Sequence, residues 1–128
     1  MSALNTAGAT IAVVLGGTPV PLPNEQVLDG FTAGAGNTQF TVPTTGTYLL
    51  TYDVKTTAAL LLSARVLRNG TAIPGTVVSP AVALDNFTAT TIVALTAGDV
   101  LELQLFGLLG AAVLQGGNGA GLTVVRLA

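Results

Sequence analysis

The sequence predicts an all-β domain, a two-sheet antiparallel sandwich of the jelly-roll kind. Three observations carry that reading. Short β-branched runs are punctuated by Gly, Pro, Asn and Asp at roughly 8–12-residue intervals. The segment Gly46–Lys55 alternates, with Tyr48, Leu50, Tyr52 and Val54 on one face and Leu49, Thr51, Asp53 and Lys55 on the other. Asn69-Gly70 joins two such runs, and a two-residue type I′ loop needs φ > 0 at both positions, which Asn and Gly tolerate. About eight to ten strands follow, which suits a sandwich or jelly roll.

The elements fall in order along the chain. Residues 1–10 are expected to be a flexible leader, and residues 11–128 the folded domain. Ile11–Leu15 reads as a first strand closed by Gly16-Gly17. Thr18–Pro23 carries prolines at 19, 21 and 23 and is limited to an edge strand or connector. Glu25–Phe31 is a short strand before an Ala33–Asn37 loop, and Gln39–Val42 ends at Pro43. Leu60–Arg68 enters the Asn-Gly turn, which pairs Arg68 with Thr71 and Val66 with Ile73. A helix over Ala58–Leu67 is the competing reading, and it would leave the hairpin without its first strand. Pro74-Gly75 breaks or bulges the returning strand before Thr76–Ser79. Asp85–Leu95 is a Thr-, Ile- and Val-rich strand. Val100–Phe106 points Leu101, Leu103 and Leu105 inward and Glu102 and Gln104 to water, and Leu122–Leu127 closes the fold.

A chain of 128 residues is one domain, since domains typically run to roughly 100–150 residues. It has no cysteine and no histidine. A disulfide framework, a thiolate site and the commonest general base are therefore all absent. Charged residues make up 8%, against about 25% in ordinary proteins, and the net charge is −2. No basic patch exists for a nucleic-acid backbone. The mean hydropathy of +0.72 raises the question of a membrane span. A spanning helix needs about 20 apolar residues, and the longest apolar-plus-Gly run is only Leu105 to Leu114. No Lys or Arg precedes Ala9–Gly17, so a signal-peptide reading fails as well.

So few charges leave too little polar side chain to cover a surface, which implies self-association; a Thr- and Gly-rich monomer is the alternative. Ala58–Leu62 and Leu108–Leu114 are apolar at consecutive positions, as though shielded on both faces. Leu60, Leu62, Arg65, Leu108 and Leu109 are accordingly the candidate contacts between copies. Arg65 lies inside an apolar strand. It either meets a carboxylate such as Asp53 at an interface or packs its stem on leucine with its head in water.

The run Phe40-Thr41-Val42-Pro43-Thr44-Thr45-Gly46-Thr47-Tyr48, continuing to Tyr52, resembles the F-x-V-P-x-x-G-x-Y-x-x-x-Y stretch of complement first-component (C-one-q) and tumour-necrosis-factor-like jelly rolls. Val66–Gly70, with Asn69 and Gly70, looks like that family's central hairpin. Leu95–Leu103, with Gly98 and Asp99, looks like its "L-x-x-G-D-x-L-x-L" strand entry, and Gly121–Leu127 like its closing strand. The cysteine-free, Thr/Ala/Leu-rich texture is most similar to the C-terminal heads of BclA-type collagen-like exosporium glycoproteins of Bacillus and Clostridium spores. The resemblance implies a ten-stranded jelly roll forming a tight homotrimer after a collagen-like stalk, at the spore surface. The chain would then be a head cut from that stalk. Several animal relatives bind Ca²⁺ through acidic loop residues. The carboxylates here are single and scattered, so neither a metal site nor a cofactor is carried over.

Individual residues have plainer readings beside the sharper ones. Tyr48 and Tyr52 are open to sugar stacking, but their alternating strand makes them core anchors. Asp53, Asp99 and Glu102 would need to flank a cleft at about 5–9 Å to work as a glycosidase pair; Asp99 instead follows a turn Gly and orders that turn. Asn69-Gly70-Thr71 and Asn86-Phe87-Thr88 match glycosylation sequons by chance. Gly16-Gly17 and Gly116–Gly119 lack the Lys-Ser/Thr of a phosphate loop. The function expected is structural and non-enzymatic. A module binding a host protein or glycan and a phage fibre or capsid jelly roll are the alternatives.

Overall fold

Two antiparallel sheets face each other across one apolar core in a computed structural model that describes residues 1–128. The strands are β1 (Ser2–Asn5), β2 (Thr10–Val13), β3 (Thr18–Pro19), β4 (Asn24–Val27), β5 (Thr32–Gly34), β6 (Gln39–Thr41), β7 (Gly46–Leu60), β8 (Ser63–Arg68), β9 (Thr71–Ala72), β10 (Leu84–Leu95), β11 (Val100–Phe106), β12 (Gly110–Val113) and β13 (Ala120–Arg126). The first sheet runs β10-β7-β13-β1-β4. The second runs β5-β6-β11-β8-β9, with β3 also on β11, and β2 and β12 form a separate ribbon. The all-β sandwich expected from the sequence is the fold. The strand number exceeds about ten because several strands are only two to four residues long.

Period-two patterning explains the core. Tyr48, Leu50, Tyr52 and Val54 are all buried, as are their neighbours Phe87 on β10 and Leu122 and Val124 on β13. From the second sheet Phe40, Val66, Leu101, Leu103 and Leu105 join the same cluster. The Asn69-Gly70 turn has φ of 52° and 82° and pairs Arg68 with Thr71. Asn69 ties the turn to its neighbour: its Nδ2 donates to Asp99 Oδ1 at 3.0 Å, and its Oδ1 accepts from Val100 N at 2.9 Å.

The structure corrects several expectations. Residues 1–10 are not a leader outside the domain. β1 lies inside the first sheet, pairing Ser2 with Thr123 and Leu4 with Gly121 on one side and Ser2 with Val27 on the other. Ser-Ala-Leu-Asn has no β-branched residue, so its strand character comes from those distant partners. Leu60 ends β7 rather than opening β8, because the chain turns at Leu61-Leu62. Thr76–Ser79 makes only a single bridge, Ala64 with Val78. Part of the Ala33–Asn37 loop is strand β5. Gln104 is on the outer face but does not reach water freely: it is 7% exposed, beneath Gly17 and beside Pro19.

Tyr52 bridges the core to the segment after the hairpin. Its phenol donates to the Thr76 carbonyl, while Thr76 Oγ1 accepts from Val66 N at 3.1 Å and donates to the Ile73 carbonyl at 2.7 Å. Burial pushes the Tyr52 phenol well above its ordinary value of 10.0. The unfolded chain therefore ionises first, and stability that is intact below about pH 10 falls as the pH rises above it. Urea unfolding at increasing alkaline pH is expected to show this fall, and Tyr52→Phe to flatten it. The same variant should lose about 1 kcal/mol at neutral pH from the missing hydrogen bond.

Candidate functional site

The register of the first sheet defines a patterned outer face. On β7, Leu49 lies between Ile92 of β10 and Val125 of β13, so three apolar side chains form one row across three strands. Ile92 is 62% exposed and Val125 46%. The next row is hydroxylic: Thr90, Thr51, Thr123 and Ser2. Its members satisfy one another, with Thr51 and Thr90 oxygens 2.8 Å apart and those of Ser2 and Thr123 3.2 Å apart. Beyond it lie Thr88, Asp53, Gly121 and Leu4, then Asn86 and Lys55. Asp53 and Lys55 pair at 3.4 Å, so these two charges offset each other.

The face continues into the β2–β12 ribbon, where Thr56 bridges Leu114. The ribbon buries Ile11, Val13, Ala112 and Leu114 and exposes Ala12, Val14, Ala111 and Val113, with Leu109 just before β12. No charged residue occurs before Glu25 or between Glu102 and Arg126, so the ribbon is apolar on both sides. Leu108–Leu114 thus has one face in the core and the other uncovered.

The five candidate contacts do not share a surface. Leu62 is 1% exposed and belongs to the protomer's own core. Leu60 and Leu108 pack against that core, and Leu109 stands 73% exposed. Arg65 is on the second sheet, bonded to Gln104 rather than to Asp53, which holds Lys55. The motif residues occupy the end of the sandwich where β7 begins. Phe40 and Val42 are buried, Pro43 follows them, and Gly46 sits where a Cβ would meet the Ala128 carbonyl and the Arg126 side chain. Tyr48 and Tyr52 are each 1% exposed and serve as core anchors. The Tyr48 hydroxyl donates to the Thr44 carbonyl, and its ring meets Phe31 edge-on at 6.0 Å.

Asp99 closes the Gly98 turn by accepting the Thr96 N–H at 2.8 Å. That bond above all holds its carboxyl below the usual range; burial opposes it, and the Asn69 hydrogen bond and the Arg68 charge add smaller lowering effects. The three carboxylates weighed as an acid–base pair are dispersed: Asp53 on the first sheet, Glu102 on the second, Asp99 in the turn. No group of three or more metal-capable side chains forms.

A family model described as the BclA C-terminal domain matches residues 1–128. The chain belongs to the BclA C-terminal domain family. Among solved structures, this BclA C-terminal domain is similar to the crystal structure of rabbit GITRL, with 15% identity, a TM-score of 0.57 and 77% of each chain covered. It is also similar to that of pika GITRL, with 13% identity, a TM-score of 0.55, and 94% of this chain and 97% of the other covered. At such identities the likeness is one of fold: the BclA C-terminal domain shares the jelly-roll architecture of these structures, the fold that the Phe40–Tyr52 resemblance implied. No curated protein matches the chain by sequence.

The row Ile92–Leu49–Val125 escaped sequence reading. Alternation separates Leu49 from the face of Tyr48, but which strands flank β7 is decided by pairing across the whole chain. The signal available was weak: one large aliphatic residue on each otherwise Thr-rich outward face.

Proposed function

We propose that the domain is a non-catalytic structural head that self-associates as a homotrimer through the outer face of its first sheet, at the tip of a collagen-like protein of the spore surface. The observation carrying this reading is the apolar row Ile92–Leu49–Val125 beside a hydroxyl row that is already hydrogen-bonded within the protomer. A second copy covering such a face has only one hydroxyl hydrogen per pair to satisfy, instead of a row of unpaired hydroxyls that would each cost about 1–3 kcal/mol. Membership of the BclA C-terminal domain family supports the spore-surface setting, and the tumour-necrosis-factor-like fold supports the trimer. A stalk joined to Met1 would leave from the end where β7 begins, since Met1 and Ala128 bond to Val124 and Thr47 there, away from the apolar ribbon.

Sedimentation or light scattering at micromolar concentration tests the reading. The expected mass is three times the 12.7 kDa of one chain. A mass of one chain would overturn it.

A further inference from the structure

The second sheet holds a cation fixed in place and ion-paired with no carboxylate. Arg65 on β8 faces Gln104 on β11. Its guanidinium lies 3.8 Å from the centroid of the Phe106 ring, its Nε donates to Gln104 Oε1 at 2.7 Å, and an Nη2 hydrogen leans on the Gly16 carbonyl at 3.4 Å. Gln104 is itself immobilised, because Gly17 packs so closely that a Cβ there would sit 2.3–2.5 Å from its three amide atoms. Arginine only donates, so the Gln104 oxygen must face it, and Gln104 Nε2 is left as a donor bonded to no protein acceptor. The other cations are engaged differently: Lys55 with Asp53, Arg68 with the Ala94 carbonyl, Arg126 with the Thr45 carbonyl. Arg65 alone is stacked on a ring and held from two further sides.

This arrangement has receptor chemistry. The guanidinium has lost its rotamer freedom on folding, so little more is lost when its free Nη hydrogens bind an acceptor. Those hydrogens and Gln104 Nε2 are donors that suit a carboxylate. Glu102 lies one step along β11 on the same outer face, on the side of Gln104 away from Phe106, and it makes no ion pair. Its carboxylate accepts hydroxyl hydrogens and repels a second negative charge. A ligand matching both has one carboxylate next to neutral hydroxyl groups.

We propose that Arg65, Gln104, Phe106 and Glu102 form a binding site for a carboxylate carried on a saccharide, of the hexuronic-acid class. The site lies on the sheet opposite the self-association face, and it does not depend on that assembly. An acidic peptide is disfavoured by Glu102, and a neutral sugar leaves the Arg65 donors unused.

The test is a titration of the ¹⁵N-labelled full chain with glucuronate, glucose, acetate and an aspartate-rich peptide. The Arg65 Nε–H and Gln104 side-chain amide resonances are followed. Saturable shifts with glucuronate are expected, with acetate and glucose each at least about tenfold weaker, the worth of one charge-assisted hydrogen bond. Arg65→Met should abolish the glucuronate response at unchanged assembly, and Glu102→Gln should weaken glucuronate but not acetate. Should Arg65→Met fail to fold, the Glu102→Gln comparison decides. Shifts that do not saturate, an unaltered response in the variants, or acetate or peptide binding as tightly as glucuronate would each overturn the proposal.

Discussion

Phe40→Ala is expected to lower the unfolding free energy by about 3–5 kcal/mol, the range for removing a buried aromatic ring. Phe40 is wholly buried on β6, paired with Ala33 of β5 and Leu101 of β11. The ring joins a core to which both sheets contribute, so a cavity there weakens the contact between layers and not one strand alone. Domains of this kind are stable by only about 5–15 kcal/mol. The loss should therefore appear as a fall of about 10 °C or more in unfolding temperature. Phe40→Leu leaves a smaller void and should lose well under half as much. Measurements belong at one fixed protein concentration, because the proposed self-association would add stability that varies with it. A loss below about 1 kcal/mol for the alanine variant would contradict the placement of Phe40 in the core.

Ile92→Glu is expected to leave the protomer folded and dissociate the assembly. Ile92 is largely exposed, so its replacement removes little from the core. In an association through the first sheet, each copy would instead bury a new carboxylate beside Leu49, in the apolar row. An unpaired buried charge costs several kcal/mol, and a weakening of at least about 100-fold corresponds to only about 2.8 kcal/mol. The change should appear as a shift to monomer mass at micromolar concentration, with an unaltered far-ultraviolet spectrum. Ile92→Thr extends the hydroxyl row and should weaken association far less. A trimer persisting in Ile92→Glu and in Val125→Glu would place the contact on another surface.

What the sequence made legible was local. The alternation from Tyr48 to Val54 and the Asn69-Gly70 turn act within a few residues, and both fix side-chain facing without knowledge of the rest of the chain. Gln104 shows the limit of such reasoning. Parity put it on the outer face correctly, but the Gly16–Pro19 segment that covers it comes from far away in sequence. Leu62 shows another: an apolar run was read as a sheltered strand, whereas a turn at Leu61 sends one leucine out and the next into the core. The candidate faces were hidden for the same reason. The Ile92–Leu49–Val125 row exists only once β10 and β13 flank β7, and Arg65 reaches Phe106 only through the β8–β11 register.

The position of β1 determines when this domain can mature. Asn5 pairs with Ala120 and Ser2 with Thr123, so the domain's first strand waits for its last. Contacts so distant in sequence slow folding, because the intervening chain must be ordered before they form. Until β13 leaves the ribosome, β7 has an unfilled edge and β1 has no neighbour on that side. The outer face of the sheet does not exist in a chain whose β13 has yet to pair. Joining of copies through that face, as proposed, would have to follow the docking of β13, and chains lacking it could not enter the assembly.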